Sequence, residues 1–367
     1  MTRPLTIGVE ATFLARDGRG MGRLMRNVLH AWQGRLNHRL LLLTRERRHL
    51  TELEEYRDEG WECMAYGDAP PLDVCWFPWM RVDWDPECPV VVMVHDTVPF
   101  TEYHESRHLE TDQERLQEAV HRADRIVTIS NFSRVEIHRH LDVELERIEV
   151  VPLGVDPTFS PVTDLELSAF PRTVVGPEPY LLYVGNTEPR KNLAGLLEAF
   201  TLMAGRIPHR LALVCERPRA PSWADRLRGK SSPLQRSIEE VEERLCWIER
   251  PEDRRLAELY RQCRLFVMPS FYEGFGFPLL EAMACGAPVA AARAASLPEV
   301  GGEVPVYFNP ADPVDIARAI MEALGADRHV GEAGIERARQ FPWSEAARKI
   351  LEILEGVAVD GVSVPAP

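Results

Sequence analysis

The chain has 367 residues, 45% of them hydrophobic and 27% charged, with a formal charge of −14. That length and apolar content suit two packed domains better than one, and the acidic balance argues against a general nucleic-acid binder. Seven cysteines, no two closer than 12 positions, form no zinc-type pairs, and their odd number fits no disulfide framework.

The first segment, LTIGVEAT at 5–12, reads as a strand. DGRGMGR at 17–23 reads as a glycine-rich turn before a helix over 24–33, and HRLLLLT at 38–44 as a second buried strand. Short segments near 61–66 and 73–77 follow, then PVVVMVHD at 89–96, a helix over 110–123, a strand running into a helix at 123–133, and a strand at 148–156. This alternation predicts an α/β unit with a mainly parallel sheet.

Residues 157–179 are rich in Pro, Ser and Thr, lack a steady period and read as a linker. A second α/β run begins with strand YLLYVGN at 180–186, helix 192–203 and strand 209–215. Residues 216–237 read as a charged, Pro-containing loop, followed by a strand at 243–248 and a helix at 251–263. Strand RLFVMPS at 264–270 feeds directly into FYEGFGFPLLEAM, and strands at 287–292 and 304–310 and helices at 312–324 and 343–356 complete the pattern. The expected domains are 1–170 and 171–342, with helix 343–356 packing back on the first and 357–367 a flexible tail. The N-terminus meets charge and glycine too early for a signal peptide. With no apolar run of spanning length and no disulfide pattern, the expected setting is cytoplasmic, with peripheral membrane contact open.

Four clusters carry candidate chemistry, and each follows a strand, where α/β proteins bind ligands. In FYEGFGFPLLEAM, Gly274 and Gly276 permit close backbone approach. Pro278 suits the start of a helix whose amides favour phosphate. Glu281 is expected in that helix's first turn, able to hold two ribose hydroxyls, with Glu273 in the loop before it. Helix electrostatics alone would also place an acid at 281. In YVGNTEPRKNL, Arg190 and Lys191 offer paired cations for a diphosphate, or plain surface charge. DGRGMGR alternates Gly18, Gly20 and Gly22, which is not a dinucleotide fingerprint. His95 and Asp96 end an apolar strand; a hydrolase triad is excluded because no G-x-S-x-G elbow occurs.

Taken together, FVMPSFYEGFGFPLLEAMACGAPV, YVGNTEPRKNLAGLLEAF, ADRIVTISNFS and VVPLGVDPTFSP resemble the retaining glycosyltransferases of group 1, or family 4. The resemblance covers nearly the whole chain and implies a GT-B fold, two Rossmann-like domains facing each other across a cleft. Glu273 and Glu281 match that family's pair of glutamates separated by seven residues. By this resemblance Glu281 would bond the donor ribose and Glu273 the donor sugar. The amides near Gly274, Phe275 and Gly276 would touch sugar and phosphate. Arg190 and Lys191 would stabilise the leaving diphosphate beside Gly185 and Asn186. Gly20 and Gly22 would form an N-terminal loop near it, and His95 would meet the transferred sugar. Asn186 departs from the arginine that many members carry there, and Arg190 would supply that charge.

The implied reaction is hexose transfer with retention, the donor phosphate taking the acceptor proton. No metal or cofactor is expected. The PRKN variant resembles mannosyltransferases of cell-surface polysaccharide synthesis, which favours GDP-mannose and a saccharide or lipid-linked acceptor. UDP- or TDP-sugar donors, or a non-catalytic sugar-nucleotide-binding protein, are the alternatives. Arg16, Arg19, Arg23, Arg26 and Arg35 are a candidate face for an anionic acceptor or a membrane, or simply solvated charge.

Overall fold

The computed structural model describes residues 3–16, 20–104, 108–161, 169–218, 233–325 and 330–361. The chain divides into two compact units, Met1–Gly154 with Phe341–Pro367, and Val155–Gln340.

In the first unit β1 (Thr6–Glu10) leads to α1 (Gly20–Trp32), then β2 (Arg39–Thr44), β3 (Glu62–Ala65), β4 (Val74–Phe77) and β5 (Val90–Met93). Next come α2 (Leu109–Arg122), β6 (Arg125–Thr128), α3 (Asn131–Leu141) and β7 (Ile148–Val150). The seven strands are all parallel, in the order β3-β2-β1-β4-β5-β6-β7. Runs such as LLLL and VVVM are buried throughout because helices cover both faces, so no residue can be polar on alternate positions. One core layer joins Phe77, Val90, Val92 and Ile126 to Leu116 and Val120 of α2 and Ile137 of α3.

The second unit contains β8 (Tyr180–Val184), α4 (Leu193–Met203), β9 (Arg210–Val214), β10 (Leu245–Ile248), α5 (Asp253–Gln262), β11 (Leu265–Met268) and α6 (Phe277–Ala284). It is completed by β12 (Val289–Ala292), β13 (Val306–Phe308), α7 (Pro313–Gly325) and α8 (Val330–Arg339). Its six parallel strands follow the order β10-β9-β8-β11-β12-β13. Both sheets reverse winding beside their first strand, between β1 and β4 and between β8 and β11. Those are the topological switch points where α/β sheets bind ligands.

The last helix, α9 (Trp343–Gly361), returns to the first unit. Trp32 donates its indole N–H to the Ala347 carbonyl at 3.0 Å while its ring sits edge-on to Trp76 at 5.7 Å. His38 Nε2 meets Glu355 at 2.7 Å. Gly154 packs so closely under Trp343 that a Cβ there would come within 2.6 Å of the Trp343 backbone nitrogen.

Several boundaries differ from the sequence reading. Helix α9 continues past 356 to Gly361 because Val357 and Ala358 are buried, so residues 357–361 of the expected tail are helical, and the rest of it lies outside the described residues. The stretch read as a linker starts docked on the second unit. Phe159 is buried edge-on to Tyr260, and Arg261 donates to the Ser160 and Thr158 carbonyls at 2.7 and 3.0 Å. Pro171 opens a short helix, Phe170–Val174, within the same stretch, and a further helix, Pro233–Val241, occupies the end of the expected 216–237 loop. Helix α1 starts four residues earlier than its apolar spacing indicates, so Gly20 and Gly22 lie in its first turn and not in a loop. Leu24, Met25 and Gly22 are buried together, and the packing extends the helix through residues that propensity alone would leave irregular. Gly18 and Arg19 lie outside the described residues. Nor do the arginines around α1 form one free basic face: Arg16 pairs with Glu52, and Arg26 reaches the Leu14 carbonyl.

Among the described residues, no helix is long and apolar enough to cross a membrane.

Candidate functional site

A dense polar construction lies at the switch point of the second sheet. Strand β8 ends in a turn that closes on itself. Tyr183, buried, donates its hydroxyl to the Asn186 carbonyl at 2.6 Å. A Cβ on Gly185 would stand 2.7 Å from that same hydroxyl, so only glycine fits without displacing the ring. The Asn186 side chain accepts from the Glu188 amide at 3.1 Å. A single turn of 3-10 helix then presents Arg190 and Lys191, and Asn192 ends it in the left-handed region at φ 54°. Asn192 also caps α4 through Gly195 N and donates to the Pro269 and Pro310 carbonyls at 3.1 and 2.7 Å. One side chain therefore fastens the β8 exit to the β11 exit.

The β11 exit carries the other half. The Phe271 amide donates to the Arg190 carbonyl at 2.7 Å. Lys191 Nζ lies 2.6 and 2.9 Å from the two Glu273 oxygens, although 82 positions separate them. Arg190 stands 3.5 Å from Glu273 and is braced by Glu188 at 2.7 Å. Glu273 is buried. Burial pushes its pKa up, but the charges of Lys191 and Arg190, with hydrogen bonds from Lys191 and Ser270, outweigh it and hold the carboxyl below its ordinary range. Two cations and one carboxylate are thus fixed before any substrate arrives.

The loop beyond Glu273 is pinned from beneath. Ser296 is fully buried, and its hydroxyl lies 2.8 Å from the Glu273 carbonyl and 2.9 Å from the Phe275 carbonyl. Gly276, at φ 105°, forms the N-cap of α6, and a Cβ there would meet Leu297 at 2.7 Å. Pro278 occupies the first turn as expected. Glu281 does not: it is the fifth residue of α6, in the second turn, because the helix begins at Phe277. It is buried and accepts from the Tyr260 hydroxyl at 3.1 Å.

Arg190, Lys191, Glu273 and the backbone of Gly274–Gly276 are therefore one construction, joined to Asn186 through Glu188. Glu281 sits on the helix that this loop starts. His95, Gly20 and Gly22 belong to the first unit. His95 follows β5, is buried, and places Nε2 3.0 Å from the Pro78 carbonyl, while its own carbonyl accepts from Ser133 at 3.0 Å. Among the described residues, no group of three or more His, Cys, Asp or Glu side chains is placed to hold a metal ion.

Sequence reasoning missed Ser296, Tyr260 and Glu10. Glu10 ends β1 and is fully buried; its Oε1 accepts from the Thr12 amide at 2.8 Å, and its Oε2 has no hydrogen-bond partner among the described residues. Burial raises its pKa to about 7. An acid inside the apolar run TIGVE was the available signal.

The family model described as glycosyl transferases group 1 matches residues 178–326, and that of glycosyltransferase family 4 matches 69–159. The O-antigen chain mannosyltransferase B of Escherichia coli is 34% identical over 267 residues, 71% of this chain and 68% of that protein. The serotype-specific mannosyltransferase WbdA of Escherichia coli is 29% identical over 74% of this chain, which spans only 33% of that longer protein. The crystal structure of Anabaena Alr3699/HepE in complex with UDP-glucose superposes with a TM-score of 0.73, 17% identity, and coverage of 96% of this chain and 100% of that one.

Proposed function

The chain belongs to the glycosyltransferases of group 1 and family 4, with the GT-B fold, and on that premise we propose that it moves mannose from GDP-mannose, with retention, onto a saccharide or lipid-linked saccharide of a cell-surface polysaccharide. The observation that carries the reaction type is the meeting of Arg190, Lys191 and Glu273 at the switch point of the second sheet. The choice of mannose rests on similarity to the two mannosyltransferases.

As the anomeric bond breaks, charge builds on the departing diphosphate. Lys191, a compact point charge, and Arg190, a planar fork braced by Glu188, stabilise it without reorganising, which is where such sites gain most. Glu273 keeps Lys191 oriented and offers acceptor oxygens to sugar hydroxyls. The amides of Gly274–Gly276, held by Ser296, approach the sugar and phosphate. Glu281 takes the ribose, its orientation fixed by Tyr260. His95 meets the transferred sugar. The donor phosphate accepts the acceptor proton, so the site calls for no separate base.

Thermal stabilisation across GDP, UDP and TDP and their sugars tests the donor. GDP is expected to bind at least about tenfold tighter than UDP, or ~1.4 kcal/mol. Protection by UDP-sugars alone would transfer the assignment to that donor class. Glu281→Gln is expected to weaken nucleoside diphosphate binding about tenfold, with one hydroxyl contact of ~1–2 kcal/mol lost. Unchanged affinity would remove Glu281 from the ribose.

A further inference from the structure

The stretch that leads into the second unit begins with a built element. Asp156–Phe159 form a β-turn: the Phe159 amide donates to the Asp156 carbonyl at 2.9 Å, and the Thr158 amide donates to the Asp156 carboxylate at 2.9 Å. Aspartate followed by proline favours this shape. Pro157 presets the backbone at the turn's second position, and the acid holds the amide two residues on. The turn delivers Phe159 to a buried position against Tyr260 of α5.

Tyr260 is fully buried and held from two sides. Its ring stands edge-on to Phe159 at 6.0 Å and to Phe266 of β11 at 5.4 Å. In that position its hydroxyl lies 3.1 Å from Glu281 Oε2 on α6. The next residue, Arg261, fastens the turn. Its Nε donates to the Ser160 carbonyl at 2.7 Å and its Nη2 to the Thr158 carbonyl at 3.0 Å, the carbonyls on either side of Phe159. A rigid guanidinium fork across two carbonyls fixes the backbone between them. All of these residues lie within the second unit. Phenylalanine at 260 would keep both ring contacts; what the hydroxyl adds is the bond to Glu281.

We infer that Phe159 is a positioning residue for the nucleotide: it packs Tyr260 into the orientation in which the hydroxyl aims the Glu281 carboxylate at the ribose hydroxyls. This rests on the assignment of Glu281 to the ribose. Phe159 acts through Tyr260 and not on the ligand. A carboxylate already held at one oxygen meets the ribose with its rotamer chosen, so less freedom is lost on binding. The coupling is reciprocal: a ribose that holds Glu281 also holds Tyr260 and the turn packed against it. Residues 158–160 are thus part of the nucleotide site without lining it.

Calorimetric titration of the full chain with GDP and with its dideoxyribose analogue, which lacks both ribose hydroxyls, tests the inference. The ratio of the two affinities reads the ribose contact and not the general integrity of the fold. UDP and its analogue are run in parallel, the ribose being common to both nucleotides. Wild type is expected to prefer the ribose form by about tenfold or more, and E281Q, Y260F and F159A each to narrow that ratio to about threefold or less. F159A in the Y260F background is expected to narrow it no further, because the hydroxyl it acts through is already gone. Phe159→Leu, which keeps apolar bulk at the turn, is expected to recover part of the ratio and carries the same cycle if F159A does not fold. Donor KM is expected to rise in F159A with kcat nearly unchanged, the sign of lost uniform binding. Nucleotide is expected to slow hydrogen exchange of the Phe159 amide in wild type and not in Y260F. A wild-type ratio in F159A or Y260F, with E281Q narrowed, overturns the inference and leaves Glu281 on the ribose. Full additivity of F159A and Y260F overturns it as well, since Phe159 would then not act through Tyr260. Equal binding of both forms by wild type, or an unchanged ratio in E281Q, overturns the ribose reading and the inference together.

Discussion

Lys191→Ala is expected to lower sugar transfer by about 10²–10³-fold, the usual cost of losing one preorganised charge at a developing anion. It is also expected to destabilise the fold. Removing one member of a buried ion pair leaves the other uncompensated at ~3–5 kcal/mol, and the retained Arg190 reduces this to about 2–3 kcal/mol. The pH dependence follows from the depressed pKa of Glu273. A carboxyl whose folded pKa lies below its ordinary 4.5 adds stability that is complete above that value and is lost as pH falls through the folded pKa. Wild type should therefore lose stability below pH 4.5 more steeply than the variant, in which only Arg190 and Ser270 remain to oppose the effect of burial on Glu273. Urea unfolding at pH 7 and pH 4 measures both effects. Equal wild-type and variant stability at pH 7 would show that the pair orients Lys191 without supporting the fold.

Glu10→Gln has the opposite pH signature. The folded pKa of Glu10 is raised from 4.5 to about 7. Below pH 4.5 the folded and unfolded states both hold the proton, and its stabilising effect is full. Between 4.5 and about 7 the unfolded chain releases that proton while the folded chain keeps it. Stability then falls by up to ~1.4 kcal/mol per pH unit, about 3 kcal/mol in all. Glutamine does not titrate and keeps an oxygen for the Thr12 amide. It also places an N–H₂ where Oε2 lacks a partner, a constant cost of ~1–3 kcal/mol, so slopes are the comparison and not absolute values. The stability of wild type relative to E10Q should fall from pH 5 to pH 8. Parallel profiles would mean that Glu10 ionises in the folded chain as easily as in the unfolded one.

The Arg190–Lys191–Glu273 cluster was legible because its residues lie in two short windows of sequence. A strand end, a glycine turn, two adjacent cations and a helix start all lie within YVGNTEPRKNL, and FYEGFGFPLLEAM repeats the glycine turn and helix start with glutamates in place of the cations. Alternating apolar strands and amphipathic helices likewise made two α/β units legible. What stayed hidden depends on partners distant in sequence. Nothing near Glu273 announces Ser296 beneath it, and Glu281 and Tyr260 meet across 21 positions. Helix α8 has little apolar content of its own; Ile335 comes within 3.3 Å of a Cβ placed on Gly286, a contact made by packing and not by pattern. Arg45, Arg81 and Arg115, which line one cavity, come from two strand exits and a helix, so no single window of sequence contains them.

The return of α9 to the first unit reverses the expected order of completion during synthesis. The second unit has every residue of its sheet and covering helices once residue 340 is made. The first lacks the helix that seats Trp343 over Gly154 and meets Trp32 and His38 until some twenty residues later, at positions as distant as Glu355. Strands β4, β5 and β6, against which α9 packs, therefore lack that cover while a complete α/β unit is made behind them. Contacts spanning more than 300 positions close last, at the loop-closure cost that slows folding of such topologies. The half of the molecule that begins first is the half that finishes last.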